Sequence, residues 1–183
     1  MDLNKLFWSS TKVDILKYLV FKRQGISMRA LESELPRTSP AIKKQIDSLA
    51  ISQAIDVDKT ANKRAITIKE DFQELTKDIL LYALEHDIIN LIHTYQSMID
   101  TYFLGKTFGN DIESDLVLIY NNCEKEQVDK VIEEIGTIFK SYFIDMVYIT
   151  PMSLKERQQR YRLADRFVLR IMREVKEAEN KNS

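Results

Sequence analysis

Five residues in one short stretch have the types and spacing for chemistry: Gly105, Lys106, Gly109, Ser114 and Asp115, all within YFLGKTFGNDIESDLVLIY (residues 102–120). Glycines let backbone N–H groups approach an anion, and a lysine adds a point charge suited to phosphate. A carboxylate at the mouth of a strand is a ligand for a hard divalent cation. The order of the parts fits that chemistry. An apolar approach (Tyr102, Phe103, Leu104) leads into the glycine loop, and Ser114 and Asp115 then open an apolar strand, Leu116 to Tyr120. Strand, glycine loop and carboxylate-bearing strand suggest a phosphate-binding site beside a metal site.

A second set of residues is basic and lies in the first third. Ser39, Pro40, Lys43, Lys44 and Asp47 fall on one side of an expected helix from about Ser39 to Ile51, and Ile42, Ile46 and Leu49 fall on the other. The apolar side must pack, which leaves the polar side free to enter a major groove. Lys43 and Lys44 can donate to guanine acceptors or to phosphates, and Ser39 can reach a phosphate from the helix N-terminus. Arg29 is a further phosphate contact, and Lys59, Lys63 and Arg64 crowd the tip of an expected hairpin, where they would meet the neighbouring backbone or minor groove.

Charge supports this division. Residues 1–69 carry 13 Lys/Arg against 7 Asp/Glu, residues 70–154 carry 5 against 16, and residues 155–183 carry 9 against 5. A basic head beside an acidic middle points to a polyanion-binding segment joined to one that does not bind a polyanion.

The elements that position these residues can be read in order. Residues 9–22 begin with hydroxyl side chains suited to an N-cap and carry apolar residues at helical spacing, with Gly25 as the expected left-handed cap. SMRALESEL (27–35) is a second helix with Ser27 as a plain cap, broken by Pro36. After the third helix, Ile55 and Val57 lie on one side of a polar turn and Ile66 and Ile68 on the other, the pattern of two short strands. Residues 70–100 contain neither glycine nor proline, and their apolar stripe predicts one long helix, or two joined near His86–Asp87. The stripe suits either a dimer seam or a linker helix packed on the C-terminal half. Further on the spacing predicts a helix over 124–141, a strand over 142–149 ended by Thr150 and Pro151, and a final helix capped near Ser153 and running to about Ala178.

Three short helices followed by a hairpin resemble the winged helix-turn-helix of bacterial and archaeal regulators, and TSPAIKKQIDSLAISQAI is similar to their recognition helix and following turn. The 102–120 stretch resembles the signature of the minimal nucleotidyltransferases, small relatives of DNA polymerase beta. That family writes a Gly-Ser pair, a second glycine, then Ser-Asp-x-Asp entering an apolar strand. Here Lys106 stands in place of the serine after the first glycine and Val117 in place of the second aspartate. The resemblance implies Asp115 as the first carboxylate and Asp145 as the position for the third, a fold without its full active site. It extends through YITPMSLKERQQRYRLADRFVLRIMREVKE, similar to the closing segment of such domains fused to winged helices.

The expected class is therefore α+β. A winged helix-turn-helix domain would occupy residues 1–69, linker helix or helices 70–101, a small inactive nucleotidyltransferase-like α/β domain 102–178, and a disordered tail 179–183. The expected function is a transcriptional regulator that binds double-stranded DNA, in which Gly105, Lys106, Gly109, Ser114 and Asp115 retain at most nucleotide binding. The C-terminal part would dimerise or sense a ligand or protein partner. The alternatives are a nucleotidyltransferase, or an antitoxin-like partner, with a nucleic-acid-binding head. No catalytic residue, metal or cofactor is assigned. His86 and His93 are seven apart, not at the three- or four-residue spacing of a helical metal pair, and Cys123, the single cysteine, lies beside acids that disfavour a thiolate. Leu6, Phe7 and Trp8 form an apolar knot expected to pack on the head. No apolar run approaches the roughly 20 residues that span a bilayer, and the first residues lack a signal-peptide layout, so a cytosolic protein is expected.

Overall fold

The computed structural model describes residues 3–58, 65–121 and 123–181, a mixed α+β chain with two three-stranded sheets. It divides into two compact units, Met1–Asp87 with Ile138–Ile144, and Ile88–Thr137 with Asp145–Ser183.

The first unit begins with α1 (Leu3–Phe7) and α2 (Ser10–Phe21), the latter capped by the Ser9 hydroxyl, which accepts from the Lys12 N–H. A cap of this kind stabilises a helix by about 1 kcal/mol. α2 ends earlier than expected, because the N–H groups of Lys22 and Arg23 both turn back to the Tyr18 carbonyl. Gly25 is therefore not the helix cap. It takes φ +66° in the turn that follows, where its N–H bonds to the Ile66 carbonyl and starts β1 (Ile26–Ser27). α3 (Met28–Glu34) is capped by Ser27, α4 spans Ser39–Ile51, and β2 (Ile55–Asp58) pairs antiparallel with β3 (Ala65–Ile68). The strand order is β1-β3-β2, with Ile26 opposite Ile66. Ile15, Leu16 and Leu19 of α2, Leu31 of α3 and Ile42, Ile46 and Leu49 of α4 share one core with Ile66 and Ile68. Each helix thus contributes one apolar stripe and leaves its other side to water.

α5 runs unbroken over Glu70–Thr94. Leu80, Leu84, Ile88 and Ile92 are buried, so these stripe residues are covered by their own chain. The last residues assigned to the first unit include Tyr142 and Phe143. Tyr142 is buried, its hydroxyl donates to Asp87 at 2.8 Å, and the Lys17 ammonium lies 3.5 Å from its ring centroid. The Phe143 ring meets Tyr18 edge-on at 5.2 Å.

The second sheet has the order β4-β5-β6. β4 (Ile99–Leu104) is antiparallel to β5 (Leu116–Tyr120), and β5 is parallel to β6 (Ile149–Ser153). α6 (Lys125–Ser141) precedes β6, and α7 (Leu154–Arg162) and α8 (Arg166–Lys181) follow it. Two expectations fail here. The strand expected over 142–149 starts only at Ile149, because Tyr142, Phe143 and Ile144 are spent closing α6: Tyr142 and Ile144 bond back to the Phe139 carbonyl and Phe143 takes φ +61°. Thr150 and Pro151 lie inside β6, which is an edge strand and can hold a residue with no N–H. The single final helix is instead two. Ala164 at φ +54° breaks it, and Asp165 accepts from the Val168 N–H to cap the second piece, which continues to Lys181, past the expected end near Ala178 and into the segment expected as a disordered tail. No helix of the described residues is long and apolar enough to cross a membrane.

Candidate functional site

α4 has two unlike sides. Ile42, Ile46 and Leu49 are buried, and Ser39, Pro40, Lys43, Lys44 and Asp47 are exposed as their spacing requires. Pro40 sits in the first turn, where its missing N–H costs nothing. Thr38 precedes the helix without a side-chain cap bond, so the N-terminal amides of α4 are not satisfied from that residue. Such a helix start favours an anion. The Ser39 hydroxyl donates to Glu32, which ties α4 to α3 and makes Ser39 a weaker phosphate donor than its position alone suggests.

A shallow depression of about 500 Å³ runs along this side, lined by Pro40, Lys43, Lys44, Asp47, Ser48 and Ile51. Ile51 is 84% exposed and was not singled out by the sequence, although it follows Asp47 by four residues and Lys44 by seven and so falls on their side of the helix. Arg29 on α3 is also exposed. Lys59, Lys63 and Arg64 lie outside the described residues.

The glycine loop brings Gly105, Lys106, Ser114 and Asp115 together, though in a different arrangement from a phosphate cradle. The Gly105 N–H donates to the Asp115 carbonyl at 2.9 Å and the Lys106 N–H to the Ser114 carbonyl at 3.0 Å. These amides are thus turned onto the chain itself. Lys106, Thr107 and Phe108 form one tight 3-10 turn ended by Gly109 at φ +85°. Asp115 is buried and its carboxylate is fully engaged. Oδ1 accepts from the Thr107 hydroxyl at 2.5 Å, and Oδ2 accepts from the Tyr148 N–H at 2.8 Å with the Lys106 ammonium 3.9 Å away. Its backbone N–H also donates to the Tyr148 carbonyl, so Asp115 joins the loop to the approach of β6.

Val117 and Ile119, on the same side of β5 as Asp115, lie in the core with Ile112, Met152, Val168 and Ile171. Asp145 is exposed and lies ahead of β6. Among the described residues no group of three or more His, Cys, Asp or Glu side chains is placed to hold a metal ion.

Beside the loop is an open groove of about 540 Å³ lined by Lys106, Glu113, Ser114, Tyr148, Thr150, Arg160 and Phe167. The Ser114 and Thr150 hydroxyls bond to each other at 2.5 Å, and the Lys106 ammonium lies 4.4 Å from the Tyr148 ring centroid. Both cations already have acidic neighbours. Arg160 pairs with Glu156 at 2.8 Å, Lys106 faces Asp115, and Glu113 adds a third carboxylate. The groove is therefore not a net-positive cradle. Arg160, Tyr148 and Thr150 were not foreseen as its lining, since the motif ends at β5 and gives no sign of which later strand lies beside it.

Elsewhere, His86 and His93 are exposed on α5, and burial raises the pKa of the Cys123 thiol. Of Leu6, Phe7 and Trp8, expected to pack on the head, only Phe7 does: Leu6 is 49% and Trp8 90% exposed, and the chain turns at Trp8 with φ +55°. Comparison with protein-family models and with curated proteins returns no match for this sequence.

Proposed function

We propose that the chain is a cytoplasmic transcriptional regulator that binds double-stranded DNA through its N-terminal unit. In this reading the first unit is a winged helix-turn-helix, and α4 is the helix that enters the major groove. The observation that carries it is the exposed side of α4. Two lysines, a proline-started N-terminus and an exposed isoleucine occupy one side of a helix whose other side is fully buried. Lys43 and Lys44 would contact phosphates or guanine edges, and Ile51 offers an apolar surface to a neighbouring sugar or thymine methyl. The succession α2, β1, α3, α4, β2, β3 with strand order β1-β3-β2 supports the same reading, since it ends in a hairpin beside the presented helix.

The second unit then serves as a nucleotidyltransferase-like domain without transfer activity, which dimerises or answers to a ligand or partner. The engagement of Asp115 by Thr107 and Tyr148, and the place of Val117 in the core, support that assignment: a clamp for Mg²⁺ needs carboxylates free to turn toward the ion.

The test is fluorescence anisotropy against the DNA upstream of the protein's own gene, titrated across salt with random duplex as competitor. Selective binding of the upstream duplex that weakens with Lys43→Ala is expected. Equal, weak binding to both duplexes would remove the proposal.

A further inference from the structure

Two exposed surfaces of this chain match each other in charge and in kind. The first is a stripe on α5. Asp71, Glu74, Leu75, Asp78 and Tyr82 follow at helical spacing, so they share one side of the helix. Leu75 is 57% and Tyr82 59% exposed, and among the described residues no cation pairs with Asp71, Glu74 or Asp78. Lys77, three residues after Glu74, borders this side, and among the described residues it pairs with none of the stripe's carboxylates.

The second surface is the turn between α7 and α8. Leu163 stands 81% exposed at its tip, flanked by Arg162 and Arg166, with exposed Tyr161 beside it. Among the described residues no carboxylate pairs with Arg162 or Arg166. The turn is well fixed: the N–H groups of Leu163, Ala164 and Asp165 bond to the Gln159, Tyr161 and Arg160 carbonyls, and Asp165 caps α8. An apolar side chain this exposed costs little to cover and much of its value lies in being covered. Exposed tyrosine and arginine around a leucine are the side chains that anchor protein contacts. An unpaired acidic stripe carrying a leucine and a tyrosine is complementary to the turn in charge.

We infer that the occupant of each surface is a second copy of this chain, with the α7–α8 turn of one copy seated on the α5 stripe of the other. Exchanged about a two-fold axis, the contact forms twice and closes a dimer. Leu163 enters between Leu75 and Tyr82 of the other copy, and Arg162 and Arg166 meet Glu74 and Asp78. The inference rests on the dimer in the proposed function and does not depend on DNA.

Sedimentation of the full chain without DNA tests it, using two charge reversals at exposed positions. One variant is Arg162→Glu with Arg166→Glu, and the other Glu74→Lys with Asp78→Lys. The wild-type chain is expected at twice 21.5 kDa and each variant alone at the single mass. An equimolar mixture is expected to recover the double mass, because a reversed turn then faces a reversed stripe while the other contact is native. Circular dichroism keeps a misfolded variant from counting. A monomeric wild type, variants that still dimerise, or a mixture that stays monomeric each overturns the inference. None of those outcomes touches DNA binding, which the anisotropy titration reads separately.

Discussion

The Cβ that Gly105 lacks would stand 1.8 Å from the carbonyl oxygen of Ser114. The loop and the start of β5 are therefore pressed together backbone to backbone, held by the bonds from Gly105 to Asp115 and from Lys106 to Ser114. The φ of Gly105 is −116°, which any residue adopts, so the glycine is demanded by space and not by conformation. Gly105→Ala is expected to lower stability by about 3 kcal/mol, the upper range for overfilling a packed site, because backbone must move to admit the methyl. Gly109 has open space around its missing Cβ but a positive φ, so Gly109→Ala should cost about 1 kcal/mol. Urea unfolding of both variants gives the comparison, and an equal cost at the two positions would contradict the close approach.

Asp115 invites a mistaken experiment, since loss of function in an Asp115 variant reads as proof of catalysis. Its carboxylate instead satisfies the Thr107 hydroxyl and the Tyr148 N–H. Asp115→Ala leaves those donors without partners, at a cost of about 1–3 kcal/mol for each buried one. The expected outcome is a lower unfolding midpoint with DNA affinity unchanged well below that midpoint. Loss of DNA binding in a folded variant would show that the division of labour between the two units is wrong.

The glycine loop and its strand were legible because a loop between two apolar runs is a local pattern, and β5 formed over Leu116 to Tyr120 as its composition requires. What the loop does was less legible. Whether Asp115 faces solvent or the chain depends on Tyr148, 33 residues later, and no local signal places that residue there. The helices α2 and α3 were readable from their N-caps and period, and α4 from Pro40 in its first turn and its period. The α7–α8 break was hidden because Ala164 and Asp165 are ordinary inside a helix, and only the left-handed turn at Ala164 makes Asp165 a cap. Tyr142 and Phe143 read as strand from their β-propensity, but burial in the first unit decided otherwise.

Restoring the missing second carboxylate is the natural attempt to awaken transfer chemistry. Val117 shares its side of β5 with Ile119 and lies in the core beside Ile112 and Val168. Val117→Asp would bury a charge among apolar side chains, a change expected to cost more than about 3 kcal/mol unless the group stays protonated. The expected result is a destabilised chain with no gain in Mg²⁺ affinity, read by thermal unfolding with and without the ion. A rise in midpoint on adding Mg²⁺ would mean that the position faces a metal site after all.

Lys43 and Lys44 should be separable from Ser39 by salt. Each lysine that neutralises a phosphate contributes about 0.9 to the slope of log affinity against log salt. Lys43→Ala and Lys44→Ala are thus each expected to reduce that slope by about one if they meet phosphates, or to relax selectivity at one base pair if they meet guanine. Ser39→Ala should do less, because its hydroxyl is already donated to Glu32. Anisotropy at several salt concentrations distinguishes these outcomes, and an unchanged slope in both lysine variants would remove α4 from the interface.

Tyr142 gives a prediction that pH can read. Burial, and then the hydrogen bond to Asp87, raise the pKa of its hydroxyl far above the ordinary value of 10.0, so the folded chain holds that proton more tightly than the unfolded chain. A group of this sign contributes stability that is fully present below the unfolded pKa. The contribution is lost as pH rises from there toward the folded pKa, because the unfolded chain ionises first. Tyr142→Phe removes the donor to Asp87 and should cost about 1–2 kcal/mol near neutral pH. Above pH 10 the wild type should lose stability that the variant keeps, so the gap between them narrows. Urea unfolding of both proteins from pH 7 to 11 measures it, and a gap that stays constant across that range would mean that the hydroxyl is not buried against Asp87.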